Sequence, residues 1–238
     1  MKAEGQGIFI TGTDTGVGKT VVTGLLGDYL LRQGRSVVTQ KWVQSGCTGF
    51  PEDIESHLLL MEQPTSLVEP LLDWVCPYVF ALPASAHLAA EGEHQTIDPL
   101  RIQQCYKALT ERFATVLVEG MGGALVPYSR NSLLIDIAGQ LDLPVLIVVG
   151  NKLGAINHTL LTVEALRSRD MTVLGMVFNR IEDVDEEIAL DNPKIVEDLT
   201  GLPVLGSLPC LRDTGQLRQP FEPIGRVIAD LWTGAGSI

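Results

Sequence analysis

Residues 12–20 read GTDTGVGKT and lie between an apolar run ending at Ile10 and a stretch, Thr20 to Arg32, with apolar side chains at helical spacing. A strand, a glycine-rich turn and a helix N-terminus in that order are what an anion-binding loop requires. Successive N–H groups point inward from the turn, and the helix dipole backs them. The same order constrains the fold, because a strand followed directly by a helix is the repeating unit of a parallel sheet. The early spacing is unusual: the phosphate-loop pattern G-x-x-x-x-G-K-[ST] asks for glycine at Thr13, and the glycine is Gly12. The later half, Gly16, Gly18, Lys19 and Thr20, is intact. Lys19 would reach the β- and γ-phosphates of a nucleotide and the Thr20 hydroxyl a Mg²⁺. Thr13 requires only that the early half adopt a conformation open to a β-branched residue.

The remainder of the chain fits the frame this loop sets. Gly7 to Ile10, Ser36 to Val43, Thr115 to Val118, Pro144 to Val149, Val173 to Phe178 and Pro203 to Leu205 are short and nearly all apolar, as strands buried on both faces must be. Thr20 to Arg32, Pro99 to Phe113 and Ala155 to Arg169 read as amphipathic helices between them. Strands alternating with helices imply an α/β fold, a doubly wound and mainly parallel sheet with helices on both faces, of the P-loop type. With no repeat, linker or low-complexity segment, residues 1–238 are expected to form a single ATP-binding domain. Residues 44–98, rich in proline and weak in periodicity, are expected to be an excursion of loops and short helices.

Composition removes several functional classes. A net charge of -12 without a basic stripe argues against a nucleic-acid partner. The longest apolar run, Leu143 to Val149, is far too short to cross a bilayer, and Met1 to Gly7 lacks the apolar core of a leader, so a cytoplasmic chain is expected. Cys47, Cys76, Cys105 and Cys210 show no paired spacing that would suggest zinc or a disulfide framework.

Ligands of an open parallel sheet gather at the carboxyl ends of its strands, which narrows the search. Lys41 and Ser45 follow the second strand, Glu119 and the turn Gly120, Met121, Gly122, Gly123 the third, Asn151 to Gly154 the fourth, and Asn179 the fifth. Three lysines, Lys19, Lys41 and Lys152, fall on this edge in a chain with only 17 Lys and Arg, which points to negative charge being collected there. Mg²⁺ takes oxygen ligands, commonly one or two carboxylates besides phosphate and water. Glu119 ends an apolar strand where a Walker B acid would stand, and Asp53, between Glu52 and Glu55, is a second candidate. Asn151-Lys152-Leu153-Gly154 has no carboxylate at the position where guanine-specific loops carry one, so it reads as a lead into the helix from Ala155, either an anion-holding N-terminus or a plain cap. Asn179 can donate to and accept from an adenine edge, which favours ATP.

GTDTGVGKT, Lys41-Trp-Val-Gln-Ser45-Gly, Val118-Glu-Gly-Met-Gly-Gly123, Val148 to His158 and Val177-Phe-Asn179 stand in the order and spacing of the dethiobiotin synthetase family, which the chain resembles from about Ile8 to Leu211. In that family the offset first glycine is the rule. The resemblance implies closure of the ureido ring of dethiobiotin from 7,8-diaminopelargonate and CO₂ with ATP and Mg²⁺, by way of a carbamate and its phosphoric anhydride. It implies that Gly16, Val17, Gly18, Lys19, Thr20 and Val21 cradle the triphosphate, that Thr20, Asp53 and Glu119 hold Mg²⁺, and that Lys41 and Ser45 contact carbamate and diamine. Gly120, Met121 and Gly122 would bound the nucleotide, with Gly122 lending an N–H. Asn179, Arg180 and Leu208-Pro209-Cys210 would face adenine, and Asn157 the far carboxylate of the substrate, near a homodimer interface. Thr15 is expected to face the transferring phosphate or the diamine. Trp42 replaces a frequent proline of the family, Met121 a common alanine, and Gly16 a residue that is acidic in some members, which bears on nucleotide selectivity.

Septum-positioning and plasmid-partition ATPases resemble this fold and loop, but they use a signature lysine that, counting back from Lys19, would fall at Asp14. The sequence also shows no amphipathic basic helix at its C-terminal end for a membrane. A non-catalytic nucleotide-binding scaffold is the other alternative, and Lys41 with Ser45 at a strand end argues against it.

Overall fold

The computed structural model describes residues 6–211 and 213–234. In chain order the first half comprises β1 (Gln6–Gly12), α1 (Lys19–Arg32), β2 (Val37–Lys41), β3 (Val43–Ser45), α2 (Glu52–Leu60), α3 (Leu72–Val75), β4 (Tyr78–Phe80), α4 (Ala86–Gly92) and α5 (Pro99–Thr110). There follow β5 (Thr115–Gly123), β6 (Pro127–Ser129), β7 (Ser132–Leu133), α6 (Leu134–Gln140), β8 (Val145–Gly150), α7 (Ala155–Arg167), β9 (Val173–Asn179), α8 (Glu186–Thr200), β10 (Val204–Leu208) and α9 (Arg218–Gly234). Six strands form one sheet in the order β10-β9-β8-β1-β5-β2, and every pairing within it is parallel.

All six strands expected from apolar runs are present, and side-chain alternation explains why those runs carry so few polar residues. Along β1, Phe9 packs on one face with Val38, Val116, Val118, Ile147 and Phe178, while Ile8 and Ile10 pack on the other with Leu25, Leu26, Leu117, Leu146 and Val177. The sheet therefore carries a core on each side, as a doubly wound fold requires. The order changes direction at β1, with β5 and β2 to one side and β8, β9 and β10 to the other, which makes the carboxyl end of β1 the switch point. The loop Thr13 to Gly18 lies there.

The run Ser36 to Val43 is two strands rather than one. β2 stays in the main sheet, but beyond Trp42 the chain leaves it and β3 pairs in parallel with β4 in a separate two-stranded sheet. Trp42 causes the departure: it is buried, stacks on Phe9 with ring centroids 5.2 Å apart, and donates its indole N–H to Gln40 Oε1 at 3.0 Å. The region 44–98 holds the short helices α2, α3 and α4 expected of it, and in addition β4, which with β3 makes it an ordered layer. Helices α6, α8 and α9 went unanticipated. Pro193 lies within α8 and Pro223 within α9, and such residues mask a helical pattern read from sequence. α9, at the C-terminal end of the described residues, is amphipathic without being basic, since Arg218 and Arg226 are matched by Glu222 and Asp230. Its apolar face, Phe221, Ile224, Ile228 and Trp232, is buried against Leu26, Tyr29 and Leu30 of α1 and their neighbours rather than offered to a membrane. Among the described residues no helix is long and apolar enough to cross a bilayer.

Since Ile228 is fully buried on the inner face of α9, Ile228→Ala is expected to cost about 2–5 kcal/mol of stability. Urea unfolding of both proteins checks this, and an unchanged midpoint would mean that α9 is not part of the folded core.

Candidate active site

The offset glycine has a steric reason. A Cβ at Gly12 would lie 2.7 Å from Val17 Cγ2 and 3.1 Å from Lys19 Nζ, because the loop folds back over the end of β1. Thr13 therefore tolerates a side chain where Gly12 cannot. Gly16 (φ 73) and Gly18 (φ 95) take left-handed conformations that turn the chain into α1, with Gly18 as its N-cap. The Asp14 carboxylate accepts from the Thr15 N–H at 2.7 Å, and the Lys19 ammonium donates to the Asp14 carbonyl at 3.0 Å. The Val17 side chain is 1% exposed and anchors the loop in the core, so only its backbone N–H is left to face a phosphate. Its carbonyl accepts a 2.9 Å bond from Asn179 Nδ2, which ties the loop to the end of β9.

β2 and β5 are in register with Lys41 beside Glu119, so both functional groups leave the sheet at one point. Lys41 Nζ lies 2.7 Å from Glu119 Oε1 and 2.7 Å from Asp53 Oδ2, and donates to the Gly120 carbonyl at 3.0 Å. The Thr20 hydroxyl donates to Glu119 Oε1 at 3.1 Å and is 3.4 Å from Asp53 Oδ1. Burial alone would push the Glu119 carboxyl up, but the Lys41 ammonium and the His57 contact hold it down at about 2. Burial pulls against the charge on Lys41 too, and the two carboxylates outweigh it and raise its pKa. Lys19 has no such partner pair, so burial and then the Lys41 charge lower it to about 8. The nearby Cys76 thiol is pushed up to about 12 by burial, which excludes it as a thiolate nucleophile.

These groups line a cavity of about 410 Å³ together with Thr15, Gly16, Gly18, Val21, Ser45, Met121 and Gly122. A second cavity of about 420 Å³ shares Thr15, Ser45, Met121 and Gly122 with the first and is closed by Pro83, Ala84, Ser85 and Val126. The first is built for an anion and a cation. The second has the apolar walls a hydrocarbon chain needs.

Other expected residues stand elsewhere. Asn157, in the first turn of α7, is exposed and lines neither cavity of this chain, and Lys152, just after β8, lines neither as well, so of the three edge lysines Lys19 and Lys41 face the first cavity. The left-handed Gly154 (φ 90) caps α7 with no side-chain bond, in keeping with a lead into the helix. Arg180 is engaged away from the cavity, pairing with Glu186 at 2.9 Å and donating to the Val184 carbonyl at 3.1 Å. Its N–H donates to the Leu208 carbonyl at 3.0 Å, which brings Asn179, Arg180 and the Leu208-Pro209-Cys210 turn to neighbouring strand ends. Leu208 is buried and Cys210 exposed. Asn179 Oδ1 remains available, since only Nδ2 is engaged.

His57 escaped the reading of the sequence. It is fully buried, with Nε2 2.6 Å from Glu119 Oε2. The available signal was spacing: His57 stands four residues after Asp53, on the same face of α2. α2 approaches α1 closely enough for this because Gly24 and Gly27 present no side chains to it. A Cβ at Gly24 would meet Leu60 Cδ1 at 2.7 Å and one at Gly27 would meet Met61 Sδ at 2.7 Å. Each glycine weakens α1 by about 1 kcal/mol relative to alanine, a cost the close packing offsets.

Whether the site suits Mg²⁺ follows from its donors. Thr20 Oγ1, Asp53 and Glu119 present hard oxygens around one point, and two carboxylates face the single Lys41 ammonium, leaving negative charge for a further cation. The residues fit the ion. Among the described residues no group of three or more His, Cys, Asp or Glu side chains forms a metal site, so phosphate and water would complete the shell.

The family described as AAA domain matches residues 6–218. Similar proteins include "ATP-dependent dethiobiotin synthetase BioD 2" of Pasteurella multocida, 42% identical over 76% of this chain and 84% of that protein. They also include "ATP-dependent dethiobiotin synthetase BioD" of Anaeromyxobacter dehalogenans, 40% identical over 94% of this chain and 97% of that protein. Similar solved structures include a ParA family ATPase from Chlorobium tepidum (TM-score 0.58, 15% identity, 96% of this chain and 98% of that one). The cell division ATPase MinD of Pyrococcus furiosus gives a TM-score of 0.56 at 18% identity, over 95% of this chain and 99% of that one. At such identities the structures show the fold alone.

Gly18→Ala would place a methyl group against Asn179 Nδ2 at a left-handed position. Strain of about 1–3 kcal/mol is expected there, read by calorimetry as weaker ATP binding with the far-ultraviolet circular dichroism unchanged. Wild-type affinity in the variant would remove Gly18 from the phosphate loop.

Proposed function

Since the chain belongs to the family of ATP-dependent dethiobiotin synthetases, we propose that it closes the ureido ring of dethiobiotin from 7,8-diaminopelargonate, CO₂ and ATP. It is an ATP-dependent ligase forming carbon–nitrogen bonds. We read residues 1–238 as a single ATP-binding domain, supported by the family match across residues 6–218. The observation that carries the reading is the Lys41–Asp53–Glu119–Thr20 cluster between two adjoining cavities, one polar and one with apolar walls.

The chemistry requires bringing anions together. One amine of the substrate adds to CO₂ and loses a proton, giving a carbamate. A carbamate oxygen attacks the γ-phosphorus, the bond to the β-phosphate oxygen breaks and ADP leaves. The second amine then attacks the carbamoyl carbon, the anhydride bond breaks, and phosphate departs as the ring closes. Attack by a carbamate on a triphosphate is opposed by charge, so fixed cations and inward N–H groups supply most of the catalysis. Lys19 and the amides of Gly16 to Val21 hold the phosphates. Lys41, kept protonated by its two carboxylates, offsets the charge between carbamate and γ-phosphate. Thr15, Ser45, Met121 and Gly122 line both cavities and suit the reacting end of the diamine, while the Gly120 carbonyl holds Lys41 from behind. Thr20, Asp53 and Glu119 would hold Mg²⁺, which when bound neutralises phosphate charge as it is redistributed. The free Oδ1 of Asn179 suits the exocyclic amine of adenine, with Arg180 and the Leu208-Pro209-Cys210 turn beside it.

We further propose a homodimer. Asn157, exposed and outside the cavities of its own chain, suits the far carboxylate of a substrate held by the partner subunit, and the neighbouring Leu153 is 84% exposed. Free cysteines fit a cytoplasmic setting. A switch ATPase of the partition class is disfavoured by Asp14 at the place of the signature lysine. A scaffold without catalysis would gain nothing from a buried charge cluster beside an apolar cavity.

Purified protein given diaminopelargonate, bicarbonate and Mg-ATP is expected to release ADP and form dethiobiotin, and an ADP yield at background would refute the assignment. Lys41→Gln should retain ATP binding while kcat falls by about 10²-fold or more, whereas Lys19→Ala should weaken both. Sedimentation velocity at assay concentration should give twice the monomer mass, and a monomer with full activity would remove the dimer from the reading.

A further inference from the structure

His57 has no part in binding substrate or nucleotide in the scheme above, lines neither cavity, and yet takes one of the two oxygens of Glu119. A carboxylate that serves as a cation ligand is ionised and can only accept, so in the 2.6 Å contact with Oε2 the donor is His57 Nε2. Among the described residues Nδ1 is buried with no partner, and the contact with Glu119 is the one bond of the ring. Leaving a ring nitrogen unpaired in the core is unfavourable and calls for a compensating role.

The effect on Glu119 is geometric. With Oε2 held by His57, the carboxylate plane is fixed and Oε1 is directed at Thr20 Oγ1 and Lys41 Nζ. Asp53, the other acidic group of the cluster, comes from the same face of the same helix, four residues earlier. α2 therefore delivers one oxygen donor itself and orients the other from behind. We propose that His57 is a positioning residue that fixes Glu119 Oε1 as the strand-borne oxygen of the divalent-cation site. The inference rests on the reading of Glu119 as a cation ligand.

Mn²⁺ serves as the probe, titrated into the ADP complex of the full chain and followed by electron paramagnetic resonance. His57→Gln retains a donor at the reach of Nε2; His57→Asn is equally polar but too short; Leu58→Ala, buried on the same helix, controls for loss of packing. His57→Asn is expected to weaken Mn²⁺ binding about 10- to 100-fold and to raise by a similar factor the Mg²⁺ concentration needed for half-maximal turnover. His57→Gln should stay within about threefold of wild type, and Leu58→Ala should lower the unfolding midpoint without moving the Mn²⁺ affinity. If His57→Asn fails to fold, His57→Leu, similar in size but unable to donate, takes its place: the same loss of Mn²⁺ affinity is expected, and affinity equal to that of His57→Gln overturns the inference. Unchanged Mn²⁺ affinity in His57→Asn, or an equal loss in Leu58→Ala, overturns the inference. Glu119→Gln separates the two levels: if it also leaves Mn²⁺ affinity unchanged, the ligand reading falls and the inference with it; if it alone weakens binding, only the inference falls.

Discussion

Glu119 is a carboxylate at the end of a central strand with almost no access to water, and the rest of the site depends on its remaining charged. Removing an ion from water costs several kcal/mol unless partners replace the lost solvation, and breaking a buried pair costs about 3–5 kcal/mol. Here the replacement is complete: Lys41 and Thr20 on one oxygen, His57 on the other. The parallel register of β2 and β5 puts Lys41 beside Glu119 without a loop having to bring it there, so the strongest interaction of the site is set by backbone hydrogen bonding of the sheet.

Two layers of the structure divide the remaining work. The main sheet and α1 supply the loop Thr13 to Gly18, Lys19, Thr20, Lys41 and Glu119. The layer between β2 and β5 supplies Asp53 and His57 through α2, and Pro83, Ala84 and Ser85 through the segment before α4. The first cavity is thus lined chiefly from the sheet edge and α1, and the second is closed from the insertion and the segment after β5.

Legibility of the site from sequence followed the same division. Gly16, Gly18, Lys19, Thr20, Lys41 and Glu119 were readable because strand ends in a parallel sheet share one edge, and a one-dimensional rule therefore finds a three-dimensional neighbourhood. Asp53 could be named only with Glu52 and Glu55 as rivals, since helix phase decides among them and the start of α2 at Glu52 was not visible. His57 was missed because its role depends on burial, which a histidine in an irregular stretch does not advertise. Side-chain direction was not readable either: Val17 turns into the core and Arg180 pairs with Glu186, so what each can offer a ligand at its motif position is largely backbone. α9 was hidden by Pro223, although its four apolar anchors recur at helical spacing.

The bare face of α1 extends the site further than its lining suggests. Gly24 and Gly27 touch no ligand and lie behind the cavity, yet the separation they allow between α1 and α2 sets where Asp53 and His57 arrive. Any side chain added there acts as a wedge between the sheet-borne and insertion-borne donors. A survey of damaging substitutions in this chain would accordingly draw an outline with two shells, and its rear shell would be made of residues whose contribution is the space they leave empty.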